Sequence, residues 1–218
     1  MAANSRGIRF GYLQGAFGGL GHLYSPGGGA TAKAFEFVPY ALDNGRFPAW
    51  SRGAEWSASD YRNLLGWASR QHPKPMWALV PDVVADPVST LDEWARWSDE
   101  VGSFGWPLAF AVQDGHLASD VPAGAEVVFV GGTTPWKWAS LPMWTASFPR
   151  VHVDRVNWPA RLWRCLELGV ESVDGTGWFR HDRLAGLTEF LKYQNLPQSE
   201  QSSIWPAERG AVTAGGVV

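Results

Sequence analysis

Polar residues capable of chemistry recur at the ends of short apolar runs in this chain, most of them beside a residue that turns or bares the backbone. ALDNGRF presents Asp43, LVPDVV presents Asp82 and FAVQDG presents Gln113 and Asp114. VFVGGTT presents Gly131 and Gly132, and ESVDGTGW presents Asp174. Glycine lets a backbone turn tightly or approach a ligand closely, so an acid set just before it is either a turn-former or a presented catalytic group. Two carboxylates facing one cleft can divide nucleophilic and acid–base work if their surroundings push their pKa values apart. A glutamine and a bare glycine backbone beside them suit a polar, planar ligand. Each feature alone is more commonly a turn or a helix cap. Their recurrence at successive run ends favours a built cleft.

The runs must be strands of one sheet for those ends to converge. Strands are expected near Ile8–Leu13, Phe35–Leu42, Met76–Val80, Leu108–Val112, Glu126–Val130, Val151–Val153 and Val170–Val173. Most are near-continuously apolar, as parallel strands covered on both faces are. Helical patterns separate several of them, at Ser57–Gln71, Pro87–Val101, Pro159–Leu168 and His181–Tyr193. This alternation predicts βα units and a parallel sheet, with ligands at the carboxyl ends of its strands. The expected fold is α/β, a small and irregular TIM-like (β/α)8 barrel, with a doubly wound open sheet as the alternative. One barrel domain would occupy residues 1–195, followed by a disordered tail over 196–218 rich in Gln, Ser, Ala and Gly. Gly15–Thr31 reads as a long loop and carries neither nucleotide-binding glycine fingerprint.

Composition narrows the partners. No apolar run reaches membrane-spanning length and the first residues have no apolar signal region, so no membrane is expected and the cytoplasm is the expected compartment. The single cysteine, Cys165, excludes an internal disulfide and a Cys-rich zinc knuckle. A net charge of −3 argues against holding nucleic acid by bulk charge, though not against a local basic surface. His152 is a candidate base on chemistry alone, but a histidine within an apolar strand is more often a satisfied core group. Arg155 and Asn157 suit phosphate, or equally a salt bridge and a helix cap. His22, His72, His116 and His181 have no ligand spacing, so neither a metal nor another cofactor is expected.

Taken in order, D-N-G-x-F, V-P-D, V-Q-D-G, F-V-G-G-T and G-V-x-S-V-D-G-T-G resemble the motifs of the tRNA-guanine transglycosylase superfamily. The pattern is nearest that of the short phage and bacterial DNA-guanine transglycosylases, which exchange guanine in DNA for a 7-deazaguanine such as preQ0. The resemblance covers roughly residues 35–180. It implies Asp174 as nucleophile and Asp43 as general acid/base. It further implies Asp82, Gln113, Gly131 and Gly132 as readers of the base, with Phe47, Trp136 or Trp178 against its faces. Its partners would be DNA and the deazaguanine base, in host cytoplasm if the chain is phage-encoded, with a homodimer or accessory subunit left open. HVDRVN, with Arg155 and Asn157, is similar to a segment of the DNA-acting branch. DNA contact would come from a local set, Lys137, Arg150, Arg155, Asn157, Arg161 and Arg180. The chain departs from the superfamily in lacking its three-cysteine, one-histidine zinc element and any RNA-binding extension. A glycosidase using the same cleft, and a non-catalytic nucleic-acid-binding subunit that kept the barrel, are the alternative readings.

Overall fold

Seven short strands pair in chain order and all in parallel. They are β1 (His22–Tyr24), β2 (Tyr40–Leu42), β3 (Ala78–Leu79), β4 (Leu108–Val112), β5 (Val127–Val130), β6 (Val151–Val153) and β7 (Ser172–Val173). The computed structural model describes residues 5–27, 34, 36–179 and 183–204, and in it the sheet curls into a half-barrel. Parallel neighbours cannot be joined by tight turns and need crossovers. Helices α2 (Arg46–Ser51) and α3 (Ala58–Ala68) join β2 to β3, and α4 (Pro87–Gly102) joins β3 to β4. Helices α5 (Thr134–Ser147) and α6 (Pro159–Glu167) make the next-to-last and last crossovers, whereas β4 reaches β5 through only a short 3₁₀ turn at Ala118–Asp120. Helix α1 (Ser5–Phe17) precedes β1, while α7 (Leu184–Gln194) and α8 (Gln198–Ile204) follow β7.

The helices start and stop where local chemistry directs. The Ser57 hydroxyl accepts from the Asp60 N–H at 3.2 Å to cap α3, and Asp86 accepts from the Ser89 N–H at 2.9 Å to cap α4. Pro159 opens α6, where a missing N–H costs nothing, and Gly169 at φ 73° lies just past its end. Helix α3 buries one face, with Tyr61, Leu64, Leu65 and Ala68 against Leu42, Ala78 and Val80.

Along the longer strands, successive side chains alternate between helices and lumen. Phe110, Val112, Val128, Val130, Val151 and Val153 pack with Leu141, Trp144 and Leu162 of the outer helices. Ala109, Ala111, Val127 and Phe129 join Ala41, Trp77 and Leu79 in a separate inner cluster. His152, between two outward valines, stacks on inner Phe129 at 4.9 Å. The same phase puts the residues that follow each strand, Asp43, Gln113, Gly131 and Asp174, on the inner side at one rim of the sheet.

Several expected boundaries change. Ile8–Leu13 is not a strand but lies in α1, because Phe10, Leu13 and Phe17 recur at helical spacing and Leu13 is buried. The first strand is instead His22–Tyr24, within the stretch read as a loop, and three residues with a polar leader give no periodic signal. The second strand contracts to Tyr40–Leu42, since Pro39 brings no N–H to a ladder and serves as an acceptor for the His22 N–H. Residues 198–204 of the expected tail form α8, tied back by Gln201 Nε2 donating to the Leu196 carbonyl at 2.8 Å. Among the described residues no helix is long and apolar enough to cross a membrane.

β2 and β3 share a single register pair, Leu42 with Ala78. The Leu79 carbonyl receives the buried Tyr61 hydroxyl at 2.6 Å. Tyr61→Phe should therefore lower unfolding stability by about 1–3 kcal/mol, the cost of a buried carbonyl losing its donor. Urea titration measures this, and an unchanged midpoint would mean that another donor takes over.

Candidate active site

A cavity of about 1070 Å³ opens within the curl of the sheet, and Asp43, Asp82, Gln113, Gly132, Arg155 and Asp174 all line it. Sequence-distant residues thus meet because every strand runs the same way and ends at one rim.

Asp174 follows β7 and is held at both ends of its carboxylate. Oδ1 accepts from the Arg155 N–H at 2.9 Å, and Oδ2 lies 3.3 Å from His152 Nε2. An ionised carboxylate can only accept, so His152 Nε2 carries a proton, while Nδ1 pairs with the Ser172 hydroxyl at 2.8 Å. Burial pushes the Asp174 pKa up. The hydrogen bond and field of His152, the Arg155 N–H and the Lys137 charge outweigh it, and the net shift is downward. The two glycines of DGTG answer to close approach: a side chain on Gly175 would collide with the Val156 carbonyl, and one on Gly177 with Asn157. They let the β7 exit press against the β6 exit, where the Val156 N–H donates to the Asp174 carbonyl at 2.6 Å.

Asp43 meets the opposite environment. Burial pushes its pKa up to about 6, against hydrogen bonds from the Gly45 N–H and the Ser25 hydroxyl, and the Asp174 and Asp82 charges push the same way as burial. The two carboxylates are thus coupled and displaced in opposite directions, one held ionised and one poised to carry a proton near neutrality.

Asp82 is buried, its carboxylate accepting from Asn44 Nδ2 at 2.8 Å and Gln113 Nε2 at 2.7 Å. Burial raises its pKa while these amides, with Arg46, draw it back. Gln113 Oε1 in turn accepts from the Ala85 N–H at 3.3 Å. This is a satisfied amide–carboxylate platform on the cavity wall. Gly131 and Gly132 leave the wall beside it bare. Gly132 sits at φ 73° with Trp136 and Asp114 where a side chain would go, and its carbonyl accepts from Arg155 Nη2 at 2.7 Å.

Other expected site residues do different work. Trp178 lines the cavity and is also buried in the outer core, with Nε1 on the Val156 carbonyl at 2.8 Å, so it braces the loop. Trp136 packs on Gly132 and Trp144, and Asp114 accepts both the N–H and hydroxyl of Thr133 at 2.6 Å. Phe47 does face the cavity, beneath the Arg155 guanidinium. Lys137 is not a surface cation: it is buried, paired with Asp154 and donating to its carbonyl, because a lysine stem on α5 reaches inward to the β6 exit. Burial, and then the Arg155 charge, lower its pKa to about 7, against the opposing pull of the Asp174 carboxylate. Arg150 stands before β6, at the opposite end of the strand from Asp174, and pairs with Glu171 at 3.0 Å. Arg161 rests on Trp138, and Asn157 knits the Gly177 N–H to the Arg155 carbonyl. Arg180 lies outside the described residues.

Asn44, Asp154 and the pairing of His152 with Asp174 were not anticipated. For His152 a signal existed: in VHV the valines face out, so the residue between them faces in. For Asn44 and Asp154 none did, since their roles rest on Asp82 and Lys137, which lie 38 and 17 residues away along the chain. Among the described residues no group of three or more His, Cys, Asp or Glu side chains is placed to hold a metal.

Because the folded pKa of Asp43 lies above its ordinary 3.8, the stability this group supports is complete at low pH and is lost as pH rises through about 6. Asp43→Asn should match the parent near pH 4 and exceed its stability at pH 8 by about 1–3 kcal/mol. Urea unfolding at the two pH values checks this, and an equal difference at both would place the Asp43 pKa at its ordinary value. A scan against protein-family models finds none that matches the chain, and a search of curated proteins finds no matching protein.

Proposed function

We propose that the chain is a base-exchanging transglycosylase that removes guanine from DNA and installs a 7-deazaguanine, preQ0 or a relative, through a covalent aspartyl–sugar intermediate. The observation that carries this reading is the coupled carboxylate pair on one cavity: Asp174 held below its ordinary pKa and Asp43 pushed up to about 6. Exchange with retention at an anomeric carbon needs such a pair. The ordered strand-end motifs that resemble the tRNA-guanine transglycosylase superfamily fall on this cavity, which supports reading the half-barrel as a trimmed (β/α)8 barrel. With one cysteine in the chain, the zinc subdomain of that superfamily has no ligands here and no step needs it.

In this mechanism an Asp174 oxygen attacks the sugar C1′ as the bond from C1′ to the purine nitrogen breaks. Asp43 gives its proton to the purine as the bonding pair moves onto the base. Asp43, now a carboxylate, takes the ring proton of the incoming deazaguanine, whose nitrogen attacks C1′ and expels Asp174. His152 and the Arg155 N–H orient the nucleophile and stabilise it as it departs. The platform of Asn44, Asp82 and Gln113, with the bare backbone at Gly131 and Gly132, holds the hydrogen-bonding edge of the base.

Labelled guanine should exchange into DNA with the purified protein. Asp174→Asn should lower exchange by more than about a thousandfold and abolish denaturation-resistant protein–DNA adducts. His152→Leu, which loses the hydrogen bond to a charged oxygen, should cost about 10–100-fold. Base release should fall as pH rises above about 6, where Asp43 loses its proton. Undiminished exchange by Asp174→Asn would overturn the mechanism. Release of free guanine with an abasic site, and no base installed, would make the protein a hydrolase using the same pair.

A further inference from the structure

Two of the anticipated DNA contacts, Lys137 and Arg150, are committed inside the protein or at the far end of the sheet, so the polymer must be held elsewhere. The rim of the cavity carries flat surfaces that the fold itself does not need. On α2, Trp50 is 58% exposed and Phe47 37% exposed, with ring centroids 5.9 Å apart. The Arg155 guanidinium lies 4.4 Å over Phe47, and the Arg155 N–H reaches Asp174 at 2.9 Å. A continuous track of flat groups therefore runs from solvent to the nucleophile. Beyond β6 a second platform stands: Trp158 is 53% exposed, with the Arg183 guanidinium stacked on it at 3.5 Å. Arg183 is itself fixed through Nη1 to the carbonyl of Asn157, a cavity residue, at 2.8 Å.

Large aromatics left this exposed at the same end of the sheet, with the Arg183 guanidinium on Trp158, match what an unstacked strand offers: base faces for the rings and a phosphate for the cation. We propose that Trp50 with Phe47 on one side of the mouth, and Trp158 with Arg183 on the other, clamp a single strand of DNA, stacking the nucleotides that flank the one drawn into the cavity. This deepens the base-exchange reading and rests on it. A chain of net charge −3 cannot grip a duplex by bulk charge, so stacking supplies most of the hold and the salt dependence is shallow.

Fluorescence anisotropy of the full chain with an end-labelled single-stranded oligonucleotide, without free base, tests the clamp. Trp50→Ala and Trp158→Ala should each weaken binding about tenfold, with phenylalanine at either position restoring most of it. Arg183→Gln should lower the slope of log affinity against log salt by about one. Both tryptophans are exposed, so their loss leaves the fold intact, and thermal melting verifies it. Unchanged affinity in both alanine variants would overturn the proposal, as would tighter binding of duplex DNA or of single-stranded RNA of the same sequence. Failure of the two readings is separable. Tryptophan-dependent strand binding without any base exchange leaves the clamp and removes the transglycosylase. Exchange at an unchanged KM for DNA in Trp158→Ala removes the clamp and leaves the chemistry.

Discussion

Parallel pairing of the seven strands is the constraint on which the rest of the molecule depends. Each strand delivers its carboxyl end to the same rim, so a residue immediately past a strand becomes a neighbour of residues past the others. Alternation along the strand then decides which of these face inward. Phe129, His152 and Ser172 stand in one row across β5, β6 and β7 through the register of those strands, and this row sets His152 beside Asp174. A one-residue slip of β6 would turn His152 into the outer helices and two valines into the cavity.

The chemistry of the cavity follows from unequal satisfaction of similar groups. Asp174, Asp82 and Asp43 are all carboxylates taken partly out of water, which by itself raises each pKa. Asp174 receives a side-chain and a backbone donor beside two basic residues, and is drawn down. Asp82 takes two neutral amides and remains raised. Asp43 has local donors, but burial, and after it the field of the other two carboxylates, pushes it up to about 6. Three copies of one side chain thus acquire three behaviours from their partners alone.

The β6–β7 corner shows how tightly that arrangement is built. Arg155, at φ 53°, donates its N–H to Asp174, its guanidinium to Asp154 and the Gly132 carbonyl, and its flat face to Phe47. Asp154 in turn holds the buried Lys137 ammonium. A left-handed backbone at a non-glycine residue persists only where surrounding contacts over-determine it, and here the β5 exit, the β7 exit, α2 and the neighbouring Asp154 all hold the one residue.

The chain's own order of residues determined the α/β alternation, the positions of β4 and β6, the helices α3, α4 and α6, and the set of carboxylates at strand ends, because local periodicity and capping are properties of neighbouring residues. It equally marked Asp43, Asp82, Gln113 and Asp174 as one group, since each stands just past an apolar run. Tertiary structure alone decided that Lys137, Arg150 and Trp178 serve the scaffold, and that His152 addresses Asp174. These depend on contacts between residues far apart in sequence, and on burial, which moves a pKa or occupies a cation without leaving a mark in the local pattern. Types and spacing could name the acids; only desolvation and partners could assign them different roles.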